Sequence, residues 1–367
     1  MSDWKSFFGA TGILAATTIG AGMFSLPYLF GKSGWLAGIF YLLVLGGMVT
    51  FAHYLYWLAL ERVKEKQRLL GLVKTYLGAW AFYPAFLSIL GGLTLVLVIY
   101  LILAGQFLRP ILPAAGASGI AGFWALASLP LFLRIRRLAI VESLGTILMV
   151  GIVFLVFFTS DLGKVSGLAT VHLENLFLPF GAILFSLTGW TAIEPMFELR
   201  NKGGSWSPFS ALALGTFISA FAYILFILGI FGSTNTIAPD TISGLGDWPA
   251  WKLHLLGWLG LFAIWTSYIS IARELKNSLE SDLRVPAFWG LGIALFLPLI
   301  LVFSGFFSFL GTIGFAGGIF LALQYVFIVL VSKKILNVSP TKKLFLNALV
   351  LLFLLAAVYE VRYFVVR

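Results

Sequence analysis

The sequence has no cysteine among its 367 residues, which excludes disulfide bonds, thiolate metal sites and cysteine nucleophiles. Charged side chains are scarce as well: they make up 10% of the chain, against about 25% in soluble globular proteins. Hydrophobic residues make up 60%. A protein surface with so few charges does not stay dissolved in water, so we expect lipid to surround most of this chain.

Catalytic and nucleotide-binding groups are also missing. The three histidines, His53, His172 and His254, lie on separate segments without the spacing of metal ligands. No loop between the hydrophobic stretches is long enough to hold a nucleotide-binding module. We therefore expect neither an enzyme nor an ATP-driven pump, with no cofactor and no nucleotide as a partner.

Hydrophobic stretches recur along the whole sequence. A helix needs about 20 apolar residues to cross the hydrocarbon core of a bilayer. Eleven stretches approach or exceed this length, at 7–30, 35–60, 80–108, 117–133, 138–160, 176–199, 208–232, 254–271, 287–304, 307–331 and 344–364. Their continuous apolar character differs from the alternating pattern of a membrane β-barrel. The sequence therefore predicts an all-α polytopic membrane protein with about 11 transmembrane helices.

Lysine and arginine are distributed unevenly between the loops on the two sides. With the N-terminus in the cytoplasm, 18 of the 24 Lys and Arg residues fall on cytoplasmic segments and 6 on outside segments. Positively charged loops tend to stay in the cytoplasm. We expect an integral protein of the inner (cytoplasmic) cell membrane, with the N-terminus cytoplasmic and the C-terminus outside. The net charge of +10 then belongs to the loops and requires no nucleic acid partner.

The cytoplasmic loop 61–78 carries an apolar pattern of its own. Leu69, Leu70, Leu72, Val73 and Leu77 recur at helical spacing among charged residues. A helix with one apolar face can lie in the plane of the membrane surface. We expect such a surface helix in this loop.

Two of the spans are interrupted in their middle. Residues 16–27 read ATTIGAGMFSLP, and residues 180–195 read FGAILFSLTGWTAIEP. Glycine and proline both weaken a helix, and unpaired backbone in hydrocarbon persists only where it lines a cavity. Close packing of membrane helices is the other reason for such glycines. Two matching breaks in spans one and six favour a transporter built from inverted repeats.

The residues at these breaks also resemble a known family. TIGAGMFSLP at 18–27 closely resembles the first helix of the aromatic and hydroxy amino acid permeases, in the amino acid/auxin permease family of the APC superfamily. The sequence PFG at 179–181 and Gly189 are similar to the sixth helix of that family. WTAIEP at 190–195 replaces the histidine-containing stretch that is usual there.

The resemblance implies a LeuT-like fold, a 5+5 inverted-repeat core plus one extra helix. The core would occupy residues 1–332, with repeats at about 7–160 and 176–331, and residues 333–367 would hold a loop and the eleventh helix. The function it implies is secondary active amino acid transport by alternating access. We expect Na⁺-coupled symport of a neutral amino acid, with aromatic and large apolar side chains among the candidates.

The resemblance places the substrate at the two breaks. Free amides at the start of a half-helix can hold the carboxylate of an amino acid, and free carbonyls can hold its ammonium group. Tyr100 stands where this fold often uses a tyrosine, with ordinary packing as the alternative. The expected substrate-binding residues are Thr17, Thr18, Gly20, Ala21, Gly22, Tyr100, Phe185, Ser186, Thr188, Gly189 and Trp190.

Span eight suggests the coupling ion. It contains AIWTS at 263–267, where sodium-coupled members of this fold form a cation site from an alanine carbonyl and two hydroxyls. The implied Na⁺ ligands are Ala16, Ile19, Ala263, Thr266 and Ser267, whose oxygens suit a hard cation. The alternative is that the two hydroxyls bond back to carbonyls one turn earlier in their own helix.

Glu194 supports a different coupling ion. It is a carboxylate in the second half of the sixth span, and intramembrane carboxylates often carry protons. In this interpretation the chain is an H⁺-coupled amino acid permease that uses Glu194. A vestibule residue open to water is the competing role for this side chain. A further interpretation of the whole chain is a membrane amino acid sensor that binds its ligand without transporting it.

Overall fold

The computed structural model describes residues 3–63, 68–132 and 138–366, and their regular structure is helical throughout. The predicted end of the fourth span at 133, and the outermost residues 1, 2 and 367 of the predicted domains, lie outside the described residues. The helices are α1 (Asp3–Thr18), α2 (Leu26–Ser33), α3 (Trp35–Arg62), α4 (Leu69–Leu77), α5 (Ala79–Leu108), α6 (Gly116–Ser128), α7 (Leu138–Phe158), α8 (Phe180–Leu187), α9 (Ile193–Asn201), α10 (Pro208–Phe231), α11 (Ala250–Leu283), α12 (Ala287–Phe303), α13 (Phe309–Phe315), α14 (Ala322–Leu336) and α15 (Pro340–Val366).

Among the described residues, six helices are long and apolar enough to cross a membrane, or seven spans if the bent pair at the start of the chain is one. Three further apolar segments lie at Gly116–Phe132, at Gly145–Phe158 within α7, and at Ala287–Phe303. The all-α membrane architecture predicted from the sequence is therefore confirmed. Most long apolar runs end close to their predicted limits, but α11 continues to Leu283, well beyond the predicted end at 271, because its last part is a polar extension of the same helix.

The predicted breaks in spans one and six are both present. Helix α1 ends at Thr18, a 3₁₀ turn covers Ala21–Ser25, and α2 continues at an angle of 46° to α1. Helix α8 ends at Leu187, a 3₁₀ turn covers Trp190–Ala192, and α9 follows. Each span is thus two half-helices joined by a short irregular segment.

Buried aromatic rings hold the turn after the first break. Phe24 lies edge-to-face with Phe107 of α5 and Phe226 of α10, with ring centroids 5.3 and 5.4 Å apart. Such pairs are worth about 0.5–1.5 kcal/mol each beyond the area they bury. This packing fixes the 3₁₀ turn between α5 and α10, so the backbone at the break is held in place.

The loop 61–78 does form a helix, α4, but its setting differs from the surface position predicted. Leu69, Leu70, Leu72 and Val73 are buried against the protein, where α4 packs on α5 and α14. The apolar face that would have met lipid headgroups is therefore covered by neighbouring helices. The sequence pattern alone does not distinguish these two partners, because lipid and protein accept the same apolar face.

Candidate functional site

The two broken helices meet at Gly22 and Ser186. A Cβ on Gly22 would collide with the Ser186 hydroxyl and lie 2.9 Å from the ring of Phe185. Only glycine lets the 3₁₀ turn of the first span approach α8 so closely. The contact brings the two breaks to the same depth in the bundle.

A glycine precedes a 3₁₀ turn at both breaks, but the backbone course at the two glycines differs. Gly20 has φ −149° and ψ −153°, whereas Gly189 has φ −148° and ψ 20°. Met23 then donates its amide to the Gly20 carbonyl at 3.2 Å, and Ala192 donates to the Gly189 carbonyl at 3.0 Å. Within the described residues, the amides that donate to no backbone carbonyl at these breaks are those of Gly20, Ala21, Gly22, Gly189, Trp190 and Thr191. Such free amides form a site for an anion.

Two carbonyls at the breaks, those of Thr18 and Ser186, accept no backbone amide of the described residues, and Tyr223 of α10 lies between them. Its hydroxyl is 2.6 Å from the carbonyl oxygen of Thr18 and 2.6 Å from that of Ser186. Tyr223 is fully buried, so its hydroxyl must find partners inside the protein. The sequence analysis missed this residue, because a tyrosine in an apolar helix has the pattern of ordinary packing.

A cavity of about 80 Å³ lies between the breaks. Its lining includes ten of the eleven predicted substrate-binding residues: Thr17, Thr18, Gly20, Ala21, Gly22, Tyr100, Phe185, Ser186, Thr188 and Trp190. Gly189 is the exception, since it packs against Leu14 of α1 and the ring of His53 instead. No charged side chain is among the described residues that line the cavity.

Gln324 of α14 closes one side of this cavity. Trp190 donates its indole N–H to the Gln324 Oε1 at 2.7 Å, and Gln324 donates from Nε2 to the Ser88 carbonyl at 2.7 Å. The chain of bonds joins the second break to α14 and α5. Gln324 was also missed, although one polar side chain in an otherwise apolar span is a recognisable signal.

Tyr100 lies on the opposite side, near the first break. Its hydroxyl is 4.0 Å from the position of a Cβ on Gly20, and it interacts with the side chain of Ser267 on α11. The residue therefore lies between the cavity and the oxygen cluster on α11.

The five predicted sodium ligands lie on two spans, three on α11 and two at the end of α1 and the first break. On α11, Thr266 and Ser267 donate to the Ala263 carbonyl at 2.8 and 3.3 Å, and Thr266 packs against Gly145 of α7. Both hydroxyls therefore bond to a carbonyl one turn earlier in their own helix, as the alternative to a sodium site predicts. Each hydroxyl oxygen still has lone pairs that can bind a cation. On the first span, the carbonyls of Ala16 and Ile19 accept no hydrogen bond from the described residues.

Glu194 is half-buried in the first turn of α9. The hydroxyl of Tyr56, a fully buried residue of α3, donates to its Oε1 at 2.8 Å. Ion pairs join the neighbouring helix ends: Arg68 with Glu274 at 2.5 Å and Arg200 with Glu61 at 3.0 Å. Glu194 thus belongs to a polar network at the end of the bundle where α1 begins.

A larger cavity of about 680 Å³ lies between α5, α11 and α12. Apolar side chains such as Leu87, Leu297 and Phe306 form almost all of its lining, and these three are exposed. Lipid chains suit such a groove better than a polar solute. The smaller cavity at the breaks is therefore the candidate functional site.

The chain matches one family model, described as transmembrane amino acid transporter protein, over residues 4–236. No curated protein sequence matches it. Its structure is similar to that of a histidine-to-alanine mutant of the Eremococcus coleocola manganese transporter, with a TM-score of 0.62 and 14% identity. The same transporter in complex with an aromatic bis-isothiourea substituted compound gives a TM-score of 0.61 and 13% identity. Each alignment covers 99% of this chain and 89% of that chain. At such identity the likeness shows the fold alone.

Proposed function

This chain belongs to the family of transmembrane amino acid transporter proteins, and we propose that it carries a neutral amino acid across the membrane by alternating access. One observation supports this most directly: two broken helices present free amides and carbonyls to one uncharged cavity. Backbone dipoles of this kind bind a zwitterion without any charged side chain. The site has no group that would balance a net charge on the substrate.

The two ends of an amino acid fit different parts of the cavity. The free amides from Gly20 to Gly22 suit its carboxylate. The carbonyls of Thr18 and Ser186, beside Tyr223, suit its ammonium group. With about 80 Å³ of space, an aromatic or large apolar side chain requires Trp190 to swing away from Gln324.

The proposed architecture follows the eleven spans of the sequence analysis. The long helices, the shorter apolar helices and the broken stretches 3–33 and 180–201 supply them. The similar breaks support a LeuT-like 5+5 inverted repeat in residues 1–332, with α15 as the additional helix. The uneven Lys and Arg distribution supports an inner-membrane location with the N-terminus inside and the C-terminus outside.

For the coupling ion we propose Na⁺, bound by Ala16, Ile19, Ala263, Thr266 and Ser267. Three oxygens are clustered on α11, and the two first-span carbonyls are free of hydrogen bonds from the described residues. Neutral oxygens of this kind suit a hard cation. Tyr100, which interacts with Ser267 and lines the cavity, would connect the ion to the substrate.

H⁺ coupling through Glu194 is the second candidate. The hydrogen bond from the buried Tyr56 places this carboxylate at the entry of α9, where its protonation would alter the second half of the broken span. Manganese, the ion named for the similar solved transporters, suits this cavity less well. Mn²⁺ favours carboxylate oxygens, and the described lining contains none.

Two measurements test the proposal. The purified protein is screened with single amino acids by thermal shift, with and without Na⁺, since a ligand that binds the folded state raises its melting temperature. Counterflow in proteoliposomes then distinguishes a carrier from a sensor. Binding without counterflow would identify a sensor, and the absence of stabilisation by any amino acid would overturn the substrate class.

A further inference from the structure

A buried carboxylate on the last helix lies outside the site described above. Glu360 of α15 is only 5% exposed, although α15 faces lipid along much of its length. Charged groups are costly within a membrane and mark proton or ion pathways there. The sequence analysis overlooked Glu360, because it stands near the end of an apolar run beside Arg362.

Glycines of two other elements make the space for this carboxylate. A Cβ on Gly181, in the first turn of α8, would lie 2.5 Å from the Glu360 Oε1 and 2.9 Å from the Gly314 carbonyl oxygen. A Cβ on Gly318 would collide with the Glu360 side chain itself. Gly318 belongs to a π-helical turn, Ala316–Leu321, and such turns often occur at functional sites.

The carboxylate has different partners in its two protonation states. When it is ionised, its negative charge lies beside Gly181, whose backbone amide favours the charge. A negative charge at the start of α8 is also favoured by the helix dipole. When one proton binds, the carboxyl gains a donor, which the adjacent Gly314 carbonyl can accept. No other atom or electron is exchanged in this step.

A cavity of about 600 Å³ leads to Glu360. Pro239 and Ser308 lie at its exposed end, and Glu360 and Ala182 at its buried end. Gln106 also lines it, six residues after Tyr100 on α5, which is about 9 Å along the helix axis. This vestibule therefore lies beyond the central cavity, on the proposed outer side, and Ala182 lines it one helical turn before Ser186, which lines the central cavity.

Few other titratable groups surround Glu360. Its own helix carries Tyr359 and Arg362, and Tyr41 of α3 interacts with Tyr359. Asp240 lies across the vestibule, with its Oδ1 accepting from the amide and hydroxyl of Ser243. The facing helices α8 and α13 and the π-turn carry no titratable residue, and Tyr325 of α14 packs two turns away on Phe353.

We propose that Glu360 is a proton-binding site, reached from the outer vestibule, that controls how firmly the first half of the sixth span is held by α15. With Glu360 ionised, its charge beside Gly181 and the start of α8 holds α8 in place, and the vestibule floor stays closed. With Glu360 protonated, this electrostatic attraction is lost, so α8 is released and the floor at Ala182 opens toward the central cavity. The role of that opening in transport rests on the proposed function, but the binding of a proton by Glu360 does not.

The absence of cysteine from the chain allows a direct test. The labelling rate of Ala182→Cys measures how accessible the vestibule floor is. Ser308→Cys, at the exposed mouth, is the reference, because its labelling rate changes with pH only through ionisation of the thiol and through access of the reagent. The full-length protein in proteoliposomes is labelled with a membrane-impermeant thiol reagent between about pH 5 and pH 8. The ratio of the two labelling rates should rise at least about threefold on acidification, as expected for a shift between two states.

Glu360→Gln resembles the protonated side chain. In this variant the ratio of the labelling rate at Ala182→Cys to that at Ser308→Cys should therefore be high and independent of pH. Asp240→Asn, the matched control within the vestibule, should retain the pH dependence. If Glu360→Gln does not assemble, Glu360→Asp keeps a shorter carboxylate and should displace the midpoint of the pH curve. The proposal would be overturned if the ratio of labelling rates depended on pH in the same way with and without Glu360. It would also be overturned if this ratio did not depend on pH in the parent protein. No amino acid is added in this assay, so failure here is distinguishable from failure of the transport proposal.

Discussion

Thr18 and Ser186, in the two broken spans, direct their carbonyl oxygens at one hydroxyl, that of Tyr223, with 2.6 Å in each case. A hydroxyl has one hydrogen and can fully satisfy only one of these acceptors at a time. The other carbonyl retains capacity for a donor such as an ammonium group. Tyr223 therefore joins the two half-helices and leaves room for the substrate in the same hydrogen-bond network.

Tyr223→Phe should weaken amino acid binding by roughly tenfold, because a buried carbonyl left without its donor costs about 1–3 kcal/mol. Isothermal titration with the amino acid identified in the screen measures the change. Tyr268→Phe is the matched control, since Tyr268 is equally buried but packs on Phe123 of α6. Equal affinities for Tyr223→Phe and the parent protein would remove Tyr223 from the site.

Gly22→Ala should abolish or severely weaken substrate binding. The added methyl group collides with the Ser186 hydroxyl and separates the two breaks, and such overpacking costs about 1–3 kcal/mol. Gly12→Ala, in α1 of the same span but with open space around the new methyl group, should bind normally. Thermal shift and uptake measure both variants, and unimpaired binding by Gly22→Ala would contradict the carboxylate site.

Thr266→Ala combined with Ser267→Ala should raise the Na⁺ concentration needed for half-maximal uptake by about tenfold or more, since two of five oxygen ligands are lost. Uptake is measured across a series of Na⁺ concentrations at constant ionic strength. Ser270→Ala, one turn along α11, serves as the control. An unchanged Na⁺ requirement would leave sodium coupling without support.

Glu194→Gln tests the proton alternative. If Glu194 carries the coupled proton, this variant should lose uptake driven by a pH gradient while amino acid exchange continues, because exchange needs no net proton movement. Tyr56→Phe, which removes the donor to Glu194, should shift the pH profile in the same assay. Under sodium coupling, the pH dependence of both variants should match that of the parent protein.

Gln324→Leu should enlarge the range of accepted substrates toward larger side chains, since Trp190 loses its hydrogen-bond acceptor. Competition by alanine, leucine and phenylalanine against the labelled substrate measures the change. Trp190→Phe also removes this bond, so the double variant should show a coupling of about 0.5–3 kcal/mol rather than additive effects. Strictly additive losses would mean that the bond does not set the pocket size.

Local sequence patterns were sufficient for the helix breaks. Around Gly20 and Gly189, glycine and nearby proline raise the cost of a continuous helix, and that cost acts within a few residues along the chain. The contacts of Tyr223, Gln324 and Glu360 depend on helices that are distant in sequence. A tyrosine that reaches a carbonyl 205 positions away has the same local pattern as a tyrosine that only packs.

The setting of α4 differs from expectation for a related reason. Its apolar face predicts burial, but the choice between lipid headgroups and the flanks of α5 and α14 depends on the course of the whole bundle. Gly189 is a similar case. It was predicted to bind the substrate, but it does not line the cavity, because the approach of α1 and α3 places Leu14 and His53 against it.

The close approach of Gly22 to Ser186 also limits how this protein can move. Gly22 packs directly on the side chains of Phe185 and Ser186 of α8 there, so the turn of the first span cannot slide past α8 without a clash, and the two move as a unit. Bending is then left to the irregular segments next to them, residues 19–20 and 188–189. Each half-helix can then rotate about a hinge near mid-membrane, and the substrate leaves on the side where the half-helices separate.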